Sequence, residues 1–100
     1  MATTSKALFR GAASTSSATL YTVPASTTTV VTNILVTNTA SSDATFELLL
    51  DDVVIAKTVT VGGYDTTVID LKQALVATDT IKGLASATTV NFHISGVEIS

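Results

Sequence analysis

One hundred residues, 46% of them apolar and 13% charged, with a net charge of -3, describe one folded domain and exclude a disordered chain. No cysteine is present, which excludes a disulfide, a thiolate metal site and a cysteine nucleophile. The five basic residues, Lys6, Arg10, Lys57, Lys72 and Lys82, are scattered, so the chain has no electrostatic footprint for nucleic acid.

A domain of this size buries only about two-thirds of its unfolded surface. Small domains commonly add disulfides, metals or partner subunits; here subunits are the expected supplement. Threonine (20 residues) and serine (10 residues) supply nearly a third of the chain, and threonine's β-branch favours strands. No apolar run reaches the eighteen or so residues of a membrane span. The opening MATTSKALFRG lacks the apolar core of a signal peptide, so synthesis in the cytoplasm is expected. None of Asn33, Asn38 and Asn91 begins a glycosylation acceptor.

In chain order, residues 1–5 read as a tail and 6–11 as a short edge strand anchored by Leu8. Residues 1–17 together read as an N-terminal arm or edge strand, whose Leu8 and Phe9 could lie on a neighbouring subunit. Residues 18–100 read as the folded domain. A strand over 18–23 ends at the only proline, Pro24, which cannot donate to a ladder. Residues 28–38 alternate, with Val30, Thr32, Ile34 and Val36 on the expected core face and Val31, Asn33, Leu35 and Thr37 on the other. The polar turn at 38–43 leads to a strand over 44–50, and this pair reads as a hairpin. Phe46, Leu48 and Leu50 point inward there, and Thr45, Glu47 and Leu49 outward.

Asp51-Asp52 marks a turn before a strand over 53–61. Gly62-Gly63 reads as a tight turn using positive φ, after which residues 64–71 pair back. Leu75 tucks into the core after a turn or short 3₁₀ piece. A strand over 79–86 has Gly83 as a bulge or close approach. In the last strand Val90, Phe92 and Ile94 face inward, and Gly96 marks a bulge because Val97 and Ile99 resume out of phase. The expectation is a single all-β antiparallel sandwich, jelly-roll or immunoglobulin-like, of seven to eight short strands.

Candidates for chemistry are few. His93, the single histidine, falls on a strand face with no serine or acid in a recognisable pattern, and no G-x-S-x-G elbow occurs. Asp43, Asp51 and Asp52 lack calcium-loop spacing and suit turns better. Gly62-Gly63 lacks the lysine and helix of a phosphate loop. No enzyme, metal or cofactor is expected. The apolar surplus says more: Val31, Leu35, Leu49 and Val53 cannot all face one core alongside the inward set. With Leu8 and Phe9 they form the candidate interface of a homo-oligomer.

The chain also resembles small structural proteins of tailed bacteriophages. The resemblance lies in LYTVPA at 20–25, ILVTNTASSDATFELLLDD at 34–52, VIAKTVTVGGYDT at 54–66, LKQALVATDTIKG at 71–83 and VNFHISGVEI at 90–99. Ala77-Thr78-Asp79 stands where such domains usually turn on a glycine. The resemblance implies a virion component with a β-sandwich fold, most simply a capsid decoration or cement subunit. It further implies self-association, with a trimer suited to threefold capsid sites, and partners among the major capsid protein or other virion proteins. Neck, tail or baseplate accessory, and receptor- or carbohydrate-binding module, are the alternatives. Membrane and nucleic acid are not expected partners.

Overall fold

The computed structural model describes residues 2–100. Eight strands form: β1 (Thr3–Ala12), β2 (Ala18–Thr22), β3 (Thr28–Asn38), β4 (Ala44–Leu50), β5 (Val53–Val61), β6 (Thr66–Leu75), β7 (Thr80–Ala85) and β8 (Val90–Ile99). They build two four-stranded antiparallel sheets, β1-β8-β3-β6 and β2-β7-β4-β5. No helix among the described residues is long and apolar enough to cross a membrane.

The pairing is nested: β1 with β8, β2 with β7, β3 with β6, β4 with β5. The chain is one long hairpin rolled up, with the β3–β8 and β4–β7 ladders closing each sheet. That strand order is the jelly roll, one of the two sandwiches the alternation allowed. Only β4 and β5 are consecutive neighbours in one sheet, so every other connection crosses between sheets. The expected hairpin over 28–50 is therefore corrected. β3 and β4 lie in different sheets, and the tight hairpin is β4–β5, with Leu50 paired to Val53 around Asp51-Asp52. Both aspartates take positive φ, 51° and 62°, the conformation that matches the right-handed twist of paired strands.

The Gly62-Gly63 turn is a corner between sheets, and residues after it pair with β3 instead of back onto β5. Neither glycine uses positive φ; Tyr64 does, at 56°. Gly63 is needed for space, because a Cβ there would lie 2.1 Å from the carbonyl oxygen of Ser41. The strand expected to stop at Leu71 runs on to Leu75, which is buried. Residues 3–12 are a full edge strand, longer than 6–11, and residue 17 lies in the loop between two strands of one sandwich. Of the expected tail, residue 1 lies outside the described residues.

The core is closed from both sheets. Phe46 of β4 meets Phe92 of β8 edge to face, with ring centroids 6.2 Å apart, a contact worth about 0.5–1.5 kcal/mol beyond its buried area. Gly83 leaves the room: a Cβ there would press within 3.1 Å of Leu20 and Leu48 and 3.2 Å of Phe92. This is the close approach expected at Gly83, while the inserted residue belongs to the facing strand, at Leu20.

Alternation breaks once in β3. Its ladders to β6 and β8 both slip between Val31 and Asn33. Val31 is fully buried before the slip, as are Ile34 and Val36 after it, while Val30 turns to the outer face. One face cannot hold Val30, Ile34 and Val36 together, because Thr32 occupies a bulge. The irregularity expected at Gly96 is real in position, but the inserted residues are Thr32 of β3 and Leu8 of β1, on either side of a regular β8. Gly96 permits the squeeze, since a Cβ would sit 2.4 Å from the Val30 carbonyl oxygen.

Candidate interaction surface

Three polar clusters close the sandwich. At the end holding the β8 terminus, Glu98 reaches into the space between sheets and accepts from the Tyr21 hydroxyl, which also lies 2.9 Å from the Thr29 hydroxyl. Lys6 adds an ion pair to Glu98 at 3.4 Å. The Tyr21 hydrogen bond, helped by Lys6, holds the Glu98 carboxyl below its ordinary value. Burial, and the neighbouring carboxylate it bonds, push Tyr21 up. At the opposite end, buried Asn38 donates to the carbonyls of Ser42 (2.8 Å) and Val61 (3.4 Å), and accepts from the Ala40 amide and the Thr89 hydroxyl. It ties three inter-sheet loops together.

The third cluster sits at the β4–β5 tip. Lys82 pairs with Asp52 at 2.7 Å, and the charge of Asp79 raises the Asp51 carboxyl. Asp43 is at the other end of β4, where it accepts from the Gly63 amide. Asp43 and Asp51 are separated by the length of a strand, so the three aspartates do not converge. No group of three or more His, Asp or Glu residues among the described residues is placed to hold a metal, and no pocket opens among them. His93 lies on the outer face of its sheet, in register with Arg10 and Leu35.

The six candidate interface residues do not come together. Leu8 and Val31 belong to the monomer's own core, and Phe9 packs against it, so the arm's expected anchors fasten it to its own sandwich. Leu35 is half-buried on the outer face of one sheet, opposite Val68. Leu49 is half-buried on the outer face of the other, opposite Val54 and Lys82. Only Val53 is openly exposed, at 65%.

The exposed apolar set is different and lies on one side. It comprises Val53, Val54 and Ile55 of β5, Tyr64 at the β5–β6 corner, Val68 of β6 and Val76 just beyond it. β5 and β6 are edge strands of the two sheets and are joined by one tight corner, so the six residues lie on or beside the two strands of one flank, Val54 on the outer face of one sheet and Val68 on that of the other. The opposite flank, β1 and β2, exposes none of this kind among the described residues and carries Lys6, Arg10, Thr19 and Thr22. The Val53–Ile55 run was legible in the sequence. Tyr64, Val68 and Val76 were not, because strand position at an edge, not residue type, exposes them.

No family model matches the chain, and no curated protein matches it. Among solved structures, the catalytic domain of Agl-KA is 15% identical with a TM-score of 0.41, over 91% of this chain and 21% of that one. A pentameric capsid protein isolated from metagenomic phage sequences is 19% identical with a TM-score of 0.40, over 90% of this chain and 58% of that one. An exo-β-1,3-galactanase from Phanerochaete chrysosporium is 14% identical with a TM-score of 0.36, over 97% and 29% respectively. The chain thus spans less than two-thirds of each. At these scores the likenesses carry no inference about activity or partners.

Proposed function

We propose that this chain is a bacteriophage virion structural protein, a capsid decoration or cement subunit that works as a homo-oligomer by binding and stabilising the head surface. The observation that carries the reading is the one-sided flank: a jelly roll whose exposed large apolar residues, among the described residues, lie on β5 and β6 or in the segments next to them. Exposed apolar residues gathered on one pair of edge strands suit an interaction site. The ordered set of segments that resembles phage structural proteins supplies the setting. Many weak copies on a symmetric shell gain avidity without any single strong contact.

The protein acts by association, not turnover; His93 sits among Arg10 and Leu35 with no acid partner in register. A glycan-binding role would draw on presented aromatic rings. Tyr21 commits its hydroxyl to Glu98 and Thr29, which leaves Tyr64 as the presented tyrosine.

Quantitative mass spectrometry of purified virions, followed by reconstruction, tests the proposal. Hundreds of copies on the head support it. A dozen or fewer on the neck or tail axis move the protein to an accessory role, and absence from the particle overturns the proposal.

A further inference from the structure

We propose that two copies of this chain pair through β6, edge to edge and antiparallel about a twofold axis at Leu71, extending the β1-β8-β3-β6 sheet across both copies. This deepens the proposed oligomer by naming its interface, and it rests on that reading for its biological use.

An edge strand offers unpaired backbone donors and acceptors to another chain unless something blocks it. The four edges differ in this respect. β2 is five residues long. β5 is broken twice, where its ladder to β4 slips beside Leu48, and Thr58 takes a φ of 49°. β1 is ten residues long but is bulged at Leu8, and its charges, Lys6 and Arg10, are both cationic. Self-pairing there would gather like charges.

β6 is the least obstructed edge. It is ten residues long, and none of its residues takes positive φ. Its ladder to β3 steps past one extra residue, where Leu71 and Lys72 lie beside Thr32, yet the side chains keep their faces. Thr66, Val68, Asp70, Lys72 and Ala74 are exposed on one face, and Leu75 is still buried on the other. Asp70 and Lys72 make no ion pair within the chain among the described residues. Beside Asp70 in register lies Asn33, whose buried Oδ1 has no donor.

A twofold antiparallel pairing centred on Leu71 places Asp70 of each copy opposite Lys72 of the other. Two opposite-charge cross-strand pairs form where neither residue had a partner. The same register sets Val68 beside Ala74 and Thr66 beside Val76, so two of the exposed apolar residues gain a cross-strand neighbour. Isologous pairing of this kind closes on itself and leaves no free β6 edge to propagate. The paired stretch runs over residues 66–76, about 35 Å at about 3.3 Å per residue, and with two sheets about 10 Å apart the flank presents on the order of 400 Å² per partner, at the small end of specific interfaces. It also brings β5 of each copy, with Val53, Val54 and Ile55, beside the seam.

Charge reversal tests the register. Wild type and the variants Asp70→Lys and Lys72→Asp are compared by sedimentation velocity across the micromolar range, with circular dichroism as the check on folding. Wild type is expected as a dimer or an even multiple. Each single reversal turns two attractive pairs into two repulsive ones and weakens association by on the order of tenfold or more. An equimolar mixture of the two variants is expected to restore it. One variant is then basic at both positions and the other acidic at both, so every facing pair is again of opposite charge. A wild-type monomer, or a mass indifferent to both reversals, or variants that fail to rescue each other, overturns the pairing. An oligomer insensitive to the reversals refutes this interface and leaves the virion reading standing. Absence from virions refutes that reading and leaves a charge-dependent dimer standing.

Discussion

The slip in β3 can be tested by two neighbouring substitutions, Val31→Ala and Val30→Ala. Unbroken alternation places Val30 in the core with Ile34 and Val36, whereas the folded chain buries Val31 completely and leaves Val30 on the outer face. Each substitution removes two methyl groups from the same strand, so the loss of β-branching is common to both and cancels in the comparison. At Val31 the lost transfer free energy is about 1.6 kcal/mol, at about 0.8 kcal/mol per buried carbon. A residual cavity on the order of 40 Å³ adds about 1 kcal/mol. The expected cost is about 2–3 kcal/mol, or a fall of about 10–20 °C in Tm for a domain of this size. Val30→Ala is expected to cost less than about 1 kcal/mol, in the range of half-exposed sites. Urea unfolding followed by far-ultraviolet circular dichroism measures both. Protein concentration is held fixed, since self-association adds to apparent stability. If Val30→Ala is as costly as Val31→Ala, or costlier, the slip at Thr32 is refuted.

Other expectations follow from named contacts. Gly63→Ala forces a Cβ against the Ser41 backbone at 2.1 Å and is expected to cost about 1–3 kcal/mol, while Gly62→Ala, with its nearest atom at 3.6 Å, costs little in the same unfolding assay. Glu98 is held below its unfolded value, so its contribution is present above that value and is lost as pH falls through the lower folded one; Glu98→Gln should flatten the acid limb of a Tm–pH profile. Tyr21 is raised, so its contribution holds below the ordinary tyrosine range and is lost as pH rises through the higher folded value; Tyr21→Phe should flatten the alkaline limb. Asp51→Asn relieves the repulsion from Asp79 and suits the positive φ of the hairpin, so Tm at neutral pH should rise; a fall would show that the Asp51 charge is favourable in its setting.

Much of the fold was legible because alternation survives wherever a strand is regular. Residues 28–38, 44–50 and 53–61 are strands with the bounds the pattern gives, and Phe46, Leu48, Leu50, Val90, Phe92 and Ile94 are inside as expected. What alternation cannot carry is which sheet a strand joins. The connection at residues 39–43 has the composition of a hairpin turn, yet Asn38 uses it to lash β3 of one sheet to loops of the other. Gly62-Gly63 likewise has the composition of a tight turn, but the need for glycine at 63 comes from the Ser41 backbone, which is remote in sequence and leaves no local signal. Val31 differs for a related reason: counting in twos puts it on the outer face, but it sits beside the inserted Thr32, where the count changes by one. Leu8, read as the anchor of an edge strand that could lie on a neighbouring subunit, is the inserted residue of β1 and is buried in the monomer's own core.

Those inserted residues gather around Gly96, and their location bears on how the molecule presents itself. Leu8 of β1 and Thr32 of β3 bulge on either side of the one position in β8 where a Cβ would strike backbone, so the distortion is concentrated in the interior of the sheet and at its β1 edge. Bulges that turn side chains out of phase spoil an edge as a template for another strand. β1, which bears one, and β5, which bears two irregularities, are thereby poor partners for a second chain, whereas β6 keeps one set of side chains outward past its own ladder step. The apolar residues that a monomer leaves uncovered fall along the flank that includes this edge, and the flank with the bulged, cationic β1 edge exposes none among the described residues. Where an edge is out of phase it resists pairing, and where it stays in phase it carries a self-complementary Asp70 and Lys72. The same register slips that hid the core of β3 from sequence reading therefore help decide which edge of the sandwich remains open for assembly.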